Sequence, residues 1–184
     1  MFKHHTLLAM LLLFGTAAFL VRGVVAGPGE RLSPSAVFSP GGKSGITAKD
    51  YAMTNQRDYS PAGYSIKRLN PETVEALAAD LTDEERRILL NHGTEPAFCG
   101  TLLDNKTEGT YACRLCELPL FSSEAKFTSG TGWPSFYKPV DKYHLSYIED
   151  KSYGMTRVEI RCARCDGHQG HVFEDGPKPT GLRF

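Results

Sequence analysis

Two pairs of cysteines have the spacing of metal-binding or redox turns. One is Cys113-Arg114-Leu115-Cys116 and the other is Cys162-Ala163-Arg164-Cys165. Two such turns, each presenting two thiolates on one side, are typical of a tetrahedral Zn²⁺ site. Four protein ligands leave no open position, so we expect the zinc to be structural. Two alternatives stay open on spacing alone: disulfides in an oxidising compartment, or a pair of redox-active CxxC centres.

Three further side chains are candidates for reaction chemistry. His168 and His171 stand three residues apart in a glycine-containing stretch that we interpret as a loop. Imidazoles titrate near neutral pH, which suits these histidines to acid and orienting roles, although surface or core positions are the ordinary alternative. Cys99, in Ala97-Phe98-Cys99-Gly100, lies outside both cysteine pairs. It is either a small buried hydrophobe or a reactive thiol.

Two helices are predicted ahead of the cysteine pairs. Asn70-Pro71 combines an N-cap with proline at the first helical position. The apolar residues that follow recur at the spacing of one helical face: Val74, Leu77, Ala78 and Leu81. Thr82 followed by Glu85 is a capping-box pattern, which predicts a second helix over 83–92 that ends at Gly93.

From Gly109 onward the pattern changes to short strands. Residues 156–162 alternate, with Val158, Ile160 and Cys162 on one face and charged residues on the other. Glycine and proline turns separate further predicted strands at 111–113, 145–148 and 171–173. The fold class is therefore mainly β and antiparallel, with the two helices on its N-terminal side. The β region from Gly109 to Phe184 is so short that a hydrophobic core alone would give it only marginal stability. We therefore expect a metal site or a covalent cross-link to stabilise it.

The first 26 residues have the composition of an export signal. Lys3 and Arg22 are their only charged residues, residues 6–21 are uncharged and mostly apolar, and Val24-Val25-Ala26 resembles a cleavage site. We expect a signal peptide or an uncleaved membrane anchor over 1–26, and hence an exported protein, periplasmic or secreted. Residues 27–65 are rich in glycine, proline and serine and are predicted to be a flexible linker, which leaves 66–184 as the folded domain.

The overall charge of the chain is balanced. Its 184 residues include 21 basic and 21 acidic side chains, so the formal net charge is zero. This balance gives no electrostatic reason to expect a nucleic-acid partner. With 41% hydrophobic residues, the composition is that of an ordinary globular domain, which we expect to be a monomer.

Several segments in the second half of the chain resemble one family, the B-type peptide-methionine (R)-sulfoxide reductases. They are His92-Gly93-Thr94-Glu95-Pro96, both cysteine pairs, residues 126–136, Gly154-Met155-Thr156-Arg157-Val158-Glu159, His168-Gln169-Gly170-His171-Val172-Phe173 and residues 175–184. The similarity is collinear from about Leu81 to Phe184. It implies two antiparallel sheets with peripheral helices, and zinc held by Cys113, Cys116, Cys162 and Cys165.

The same resemblance implies a reaction and roles for individual residues. The reaction is reduction of methionine-R-sulfoxide in oxidised proteins or peptides, with electrons from a thioredoxin-like reductant. His171 is implied to contact the sulfoxide oxygen, with His168 beside it. Trp133 and Phe173 are implied to form the walls of the pocket that receives the substrate methyl group. On residue type alone, Trp133 would instead be predicted to lie in the hydrophobic core. Arg183 is implied to hold the nucleophile in its anionic form.

Two features depart from the family pattern. Thr131 occupies the position where many members carry a resolving cysteine, so we expect Cys99 to take that role. In the family, a nucleophilic cysteine or selenocysteine follows an Arg-Tyr or Arg-Phe pair, and here the sequence stops at Arg183-Phe184. We expect the protein to continue with selenocysteine, whose UGA codon is readily taken for a stop.

Two other functions are alternatives to the reductase. One is a zinc-stabilised module that binds oxidised or apolar methionine segments without turning them over. The other is a thiol oxidoreductase that uses the CxxC pairs. Retention of His168, His171, Trp133 and Arg183 favours the reductase, because a binding module has no need of a proton donor.

Overall fold

The computed structural model describes residues 57–184, so the signal peptide predicted at 1–26 and residues 27–56 of the predicted linker lie outside it. Within the described range, two α-helices precede short antiparallel strands, which confirms the mainly β fold class. The elements are α1 Pro71–Ala78, α2 Asp83–Leu89, β1 Thr110–Ala112, β2 Pro119–Ser122, β3 Lys126–Phe127, β4 Ser135–Phe136, β5 Leu145–Asp150, β6 Arg157–Cys162 and β7 His168–Val172. Single 3-10 turns occupy Ser123–Ala125, Lys142–His144 and Ser152–Gly154.

Both helices begin where their capping residues predict. The Asn70 side chain accepts a hydrogen bond from the backbone N–H of Thr73, and Thr82 and Glu85 form a complete capping box. Two details of the helices differ from the prediction. α2 stops at Leu89, short of residue 92. Leu77 of α1 is 39% exposed, so the predicted apolar face of α1 is wrong at that position.

Three small sheets carry the rest of the domain. β1 pairs with β2, β3 pairs with β4, and β5, β6 and β7 form a three-stranded sheet in that order. The end of the described chain joins two of these sheets. Arg183 exchanges two backbone hydrogen bonds with Phe173, at 2.8 and 2.9 Å, and Phe184 exchanges two with Phe136, at 2.8 and 3.0 Å. Residues 183–184 therefore lie as a short strand between β4 and the residue that follows β7.

The core lies between these sheets and the cysteine turns. Its largest fully buried apolar side chains are Leu118, Leu145 and Ile160. Phe121 and Phe136 stack with ring centroids 4.5 Å apart and extend the core towards the linking strand. Burial of such side chains stabilises the fold by about 1.5–3 kcal/mol each, which fixes the strands that carry the site.

Residues 57–65 differ from the prediction of a flexible linker. Tyr59 and Ser65 form a β-bridge, and the buried hydroxyl of Ser60 lies 2.8 Å from Nε2 of the fully buried His144. This turn is packed because a distant histidine satisfies its buried hydroxyl, a contact that local composition does not reveal. Across residues 57–184, no helix has the length and apolar character needed to cross a membrane.

Candidate active site and metal centre

The four paired cysteines meet in one buried cluster. Their sulfur atoms all lie within 4.8 Å of one another. The shortest separations join one turn to the other: Cys113 Sγ to Cys165 Sγ at 3.5 Å and Cys116 Sγ to Cys162 Sγ at 3.4 Å. A disulfide requires about 2.05 Å, so these four are thiols and the disulfide alternative does not hold.

The same backbone turn occurs at both pairs. The N–H of Glu117 donates to the carbonyl of Cys113, and the N–H of Asp166 donates to that of Cys162, at 2.8 and 2.9 Å. Glu117 and Asp166 both have a positive φ, 60° and 65°, which turns the chain back sharply. Each turn thereby presents its two thiols to the same side, as the CxxC spacing predicts.

The cluster fits a tetrahedral metal ion. Zinc–sulfur bonds of about 2.3 Å place neighbouring sulfurs about 3.8 Å apart, within the observed range of 3.4 to 4.8 Å. Hydrogen bonds from the other three thiols lower the pKa of Cys113, whereas hydrogen bonds with Cys113, Cys116 and Cys165 raise the pKa of Cys162. Without a cation the four sulfurs thus do not ionise together, and a bound Zn²⁺ would supply the positive charge that stabilises four thiolates in a structural site.

The two candidate histidines lie on β7 and not in a loop. Residues three apart on a regular strand face opposite sides of the sheet. Here the register shifts between Ile160 and Arg161, so that Arg161 pairs with His168 while Glu159 pairs with His171. The bulge lies at Gln169 and places both histidines on one face, opposite two charged residues of β6.

Each of these histidines has its own carboxylate partner. His168 Nδ1 lies 2.6 Å from Glu159 Oε1, and His171 Nε2 lies 2.8 Å from Asp150 Oδ2. Their ring centroids are 5.6 Å apart. Arg157 donates to the same Asp150 oxygen at 2.6 Å. The arrangement fixes the orientation of both rings.

Burial and hydrogen bonds shift the pKa values of Glu159, His168 and Asp150. Burial opposes ionisation of Glu159, but hydrogen bonds from Arg161 and His168 outweigh it and lower the pKa of Glu159 to about 2. Burial also lowers the pKa of His168, against the pull of Glu159, so His168 is a neutral orienting group. Hydrogen bonds from Ser152 and His171 lower the pKa of Asp150, so it faces His171 as an anion.

Arg183 is anchored on the linking strand. Its guanidinium donates twice to Asp175, at 2.8 Å each, and lies 4.3 Å above the ring of Phe173. Phe173 in turn lies 6.3 Å from His171, centroid to centroid. Thus His171, Phe173 and Arg183 form a continuous series of contacts, while Arg183 already has a carboxylate partner that sequence reasoning did not identify.

Trp133 is at the surface, so the interpretation of it as a core anchor is wrong. Its side chain is 39% exposed, and its indole N–H donates to the carbonyl of Glu95 at 2.9 Å. It lines a cavity of about 390 Å³ together with Phe98 and Leu103. The lining of that cavity includes neither of the two β7 histidines. An exposed, hydrogen-bonded indole is suited to contact a ligand.

Cys99 is exposed, so the interpretation of it as a buried hydrophobe is wrong as well. The neighbouring N–H of Phe98 donates to the carbonyl of Gly132 at 2.8 Å. Gly132 has φ 89°, and an added Cβ there would lie 2.9 Å from the Phe98 ring. This close approach holds the segment of Cys99 against the loop that contains Thr131, the position of the family's usual resolving cysteine.

Sequence reasoning missed the partners that orient the histidines. The alternation at 156–162 predicts Glu159 on a charged outer face, yet its side chain is only 7% exposed. Asp150, at the end of β5, belongs to no motif that marks it in the sequence. His92 belongs to a segment of the family resemblance, but nothing in that segment predicts that its Nδ1 lies 3.0 Å from Glu159 Oε1. The alternation of charges on β6 was the available signal, because charges opposite histidines tend to pair with them.

The chain is similar to a known protein family and to several named proteins. The SelR domain matches residues 81–184, and the chain belongs to this family. Three relatives carry the name peptide methionine sulfoxide reductase MsrB. That of Caulobacter vibrioides is 57% identical over 132 residues, 72% of this chain and 83% of the relative. Those of Xylella fastidiosa and Escherichia coli are 60% and 52% identical over 115 residues, 62% of this chain and 74% and 84% of theirs.

Proposed function

We propose that this protein reduces methionine-R-sulfoxide in oxidised proteins and peptides to methionine. The observation that carries the proposal is the pair His168 and His171, placed on one face by the β7 bulge and each held by a carboxylate. It lies inside the region that matches the SelR domain and belongs to a chain more than half identical to proteins named as methionine sulfoxide reductases. A non-catalytic binding module would not need a proton donor such as His171, or a second histidine beside it.

The proposed reaction needs a nucleophilic thiolate or selenolate, and the family resemblance implies such a group beside Arg183. The backbone pairing of Arg183 with Phe173 and of Phe184 with Phe136 holds Arg183 on the linking strand, which supports a role for its guanidinium beside that group. In the first step, the thiolate (or selenolate) bonds to the sulfoxide sulfur while the oxygen takes a proton from His171. The oxygen then bonds to the enzyme's sulfur or selenium, and both its bond to the substrate sulfur and the bond between the two attacking atoms break, which leaves a sulfenic (or selenenic) acid on the enzyme and releases methionine.

Recycling completes the proposed reaction. The thiol of Cys99 attacks the sulfenic acid, which releases water and forms a disulfide, or a selenenylsulfide with selenium. A thioredoxin-like dithiol then reduces this bond and restores both groups. The exposure of Cys99 and its tie to the Thr131 loop support this role. A zinc ion on the four paired cysteines would take no part in these steps and would hold the turn after β1 to the turn after β6.

The cellular setting is also a proposal. We infer that residues 1–26 direct export and that the reductase works as a monomer in the periplasm or outside the cell, or on a membrane anchor. The uncharged, apolar run at 6–21 supports this. N-terminal sequencing of the mature protein that begins near residue 27 is the expected result, and a cytosolic protein that begins at Met1 would contradict it.

Substrate recognition can be tested without turnover, because Trp133 is the chain's only tryptophan. We expect the R epimer of an N-acetyl methionine sulfoxide amide to change the tryptophan emission of the 184-residue chain saturably, because its methyl group packs on the indole. The S epimer serves as the matched control and should bind more weakly. Equal responses to the two epimers, or none to either, would count against the proposed substrate.

The role of Cys99 predicts a stalled reaction. In protein carrying the nucleophile, Cys99→Ser should reduce about one R-sulfoxide per chain and then stop with thioredoxin as reductant, because nothing else resolves the sulfenic acid. Rapid-quench analysis of the methionine formed measures this burst. The matched control is Thr131→Ser, in the loop that faces the Cys99 segment, which should cycle normally. Undiminished cycling of Cys99→Ser would assign resolution to another group.

A further inference from the structure

A third histidine lies on the carboxylate of Glu159. His92 Nδ1 is 3.0 Å from Glu159 Oε1, and His168 Nδ1 is 2.6 Å from that same oxygen. The three ligand atoms all lie within 4.8 Å of one another. The imidazole rings of His92 and His168 meet edge to face at 6.0 Å. Two imidazole nitrogens and one carboxylate oxygen thus converge on one point. These nitrogen and oxygen donors differ in type from the four sulfurs of the cysteine cluster.

The fold builds this convergence from three separate elements. His168 and Glu159 come from β7 and β6, and both side chains are only 7% exposed. His92 follows α2 in a left-handed conformation, with φ 54°, and the N–H of Gly93 closes the turn on the carbonyl of Arg87 at 3.0 Å. The His92 side chain is 43% exposed. The cluster therefore has two fixed, buried ligands and one ligand at the surface, through which an ion can enter.

The donor set is that of a first-row divalent metal. Imidazole nitrogen with carboxylate oxygen suits zinc, cobalt, nickel or copper, with bonds near about 2.0–2.2 Å for zinc. Such bonds place neighbouring ligand atoms roughly 3–3.5 Å apart. The 3.0 Å between His92 and Glu159 already fits this range, whereas the 2.6 Å between His168 and Glu159 has to lengthen slightly when an ion binds. Neutral imidazoles can bind the ion when their proton moves from Nδ1 to Nε2. Three protein ligands leave one position open to water.

Arg161 sets the strength of the site. Its guanidinium donates to the other Glu159 oxygen at 2.7 Å and also faces Asp166 at 3.7 Å. This contact keeps the carboxylate ionised and turns Oε1 towards the histidines, which favours a metal. Its positive charge opposes a cation nearby, which weakens binding. The ion is therefore expected to exchange readily, unlike zinc on four thiolates.

We propose that His92, Glu159 and His168 form a second, exchangeable site for a divalent transition-metal ion. The inference does not rest on the proposed reductase function, because the geometry alone carries it. Occupancy would tie the turn after α2 to β6 and β7. It would also engage His168, whose ring lies 5.6 Å from that of His171.

The test is a Co²⁺ titration of the full chain after its four cysteines have been loaded with zinc. We expect a second equivalent of metal to bind with the weak visible bands of nitrogen and oxygen ligands and without a thiolate charge-transfer band. His92→Gln should weaken this binding by about tenfold or more, since it removes one of three ligands. His171→Gln, next to the site but outside the ligand set, is the matched control and should bind like the parent.

Control measurements distinguish loss of this metal site from loss of folding and from metal binding elsewhere in the chain. His92 is exposed, so His92→Gln should fold as the parent does, which its thermal unfolding and zinc content will verify. His4 and His5 are retained in every variant, so a site formed by them would survive His92→Gln. Uptake of no second ion, equal binding by parent and His92→Gln, or cobalt with thiolate charge transfer would each overturn the proposal.

Discussion

Cys162→Ser is expected to unfold the β domain at room temperature. The Cys162 side chain is fully buried and supplies one of four sulfurs to the proposed zinc site. Structural zinc contributes on the order of 10–16 kcal/mol in zinc-finger peptides, which matches or exceeds the roughly 5–15 kcal/mol stability of a whole domain. The loss should appear as absent cooperative melting in circular dichroism and as well under one zinc per chain in elemental analysis.

The exposed Cys99 provides the matched control for this experiment. Cys99→Ser removes a thiol from the same chain but not from the cluster, so its zinc content and melting should equal those of the parent. Removal of zinc by a strong chelator should reproduce the effect of Cys162→Ser. A parent protein that contains little zinc and two disulfides by mass, or a Cys162→Ser protein that melts normally, would refute the structural metal site.

His171→Gln should lower the rate of R-sulfoxide reduction by about 10²–10⁴-fold, the usual contribution of a positioned acid. Glutamine keeps a polar side chain of similar reach but cannot deliver a proton to the departing oxygen. The carboxylate of Asp150 lies 2.8 Å from His171 Nε2, so it should affect the rate of reduction by positioning His171. We therefore expect Asp150→Asn to lower the rate as well, by a smaller factor, and to shift its pH profile.

Stability measurements make this result interpretable. His171 is partly exposed on β7, so His171→Gln should retain the zinc content and melting temperature of the parent. The rate is measured in protein carrying the nucleophile, with dithiothreitol as reductant to bypass Cys99. A rate within about threefold of the parent would remove His171 from the role of acid.

Local features of this chain were predictable because they depend on near neighbours in sequence. The capping box at Thr82 and Glu85 forms as expected, since both partners lie within one helical turn. The alternation at 156–162 gives β6, with Ile160 and Cys162 buried. The two CxxC turns come together because each turn has a fixed local geometry and their thiols share a ligand preference.

Features that depend on a distant partner were not predictable from local pattern. The bulge at Gln169 arises from how β7 pairs with β6, and it alone turns His168 and His171 to one face. Glu159 is buried despite its charge, because Arg161 and two histidines satisfy it. The short strands β3 and β4 have only two residues each, too few for an alternating pattern to be visible.

Epimer-resolved turnover is the measurement that tests the proposed function most directly. Protein with a cysteine joined to Phe184 is incubated with dithiothreitol and with the R or the S epimer of a methionine sulfoxide peptide, and the methionine formed is quantified by chiral chromatography. We predict that the R epimer is reduced with multiple turnovers and that the S epimer is left essentially unchanged. Equal reduction of both epimers, or turnover by the 184-residue chain as fast as by the extended protein, would contradict the proposed reaction.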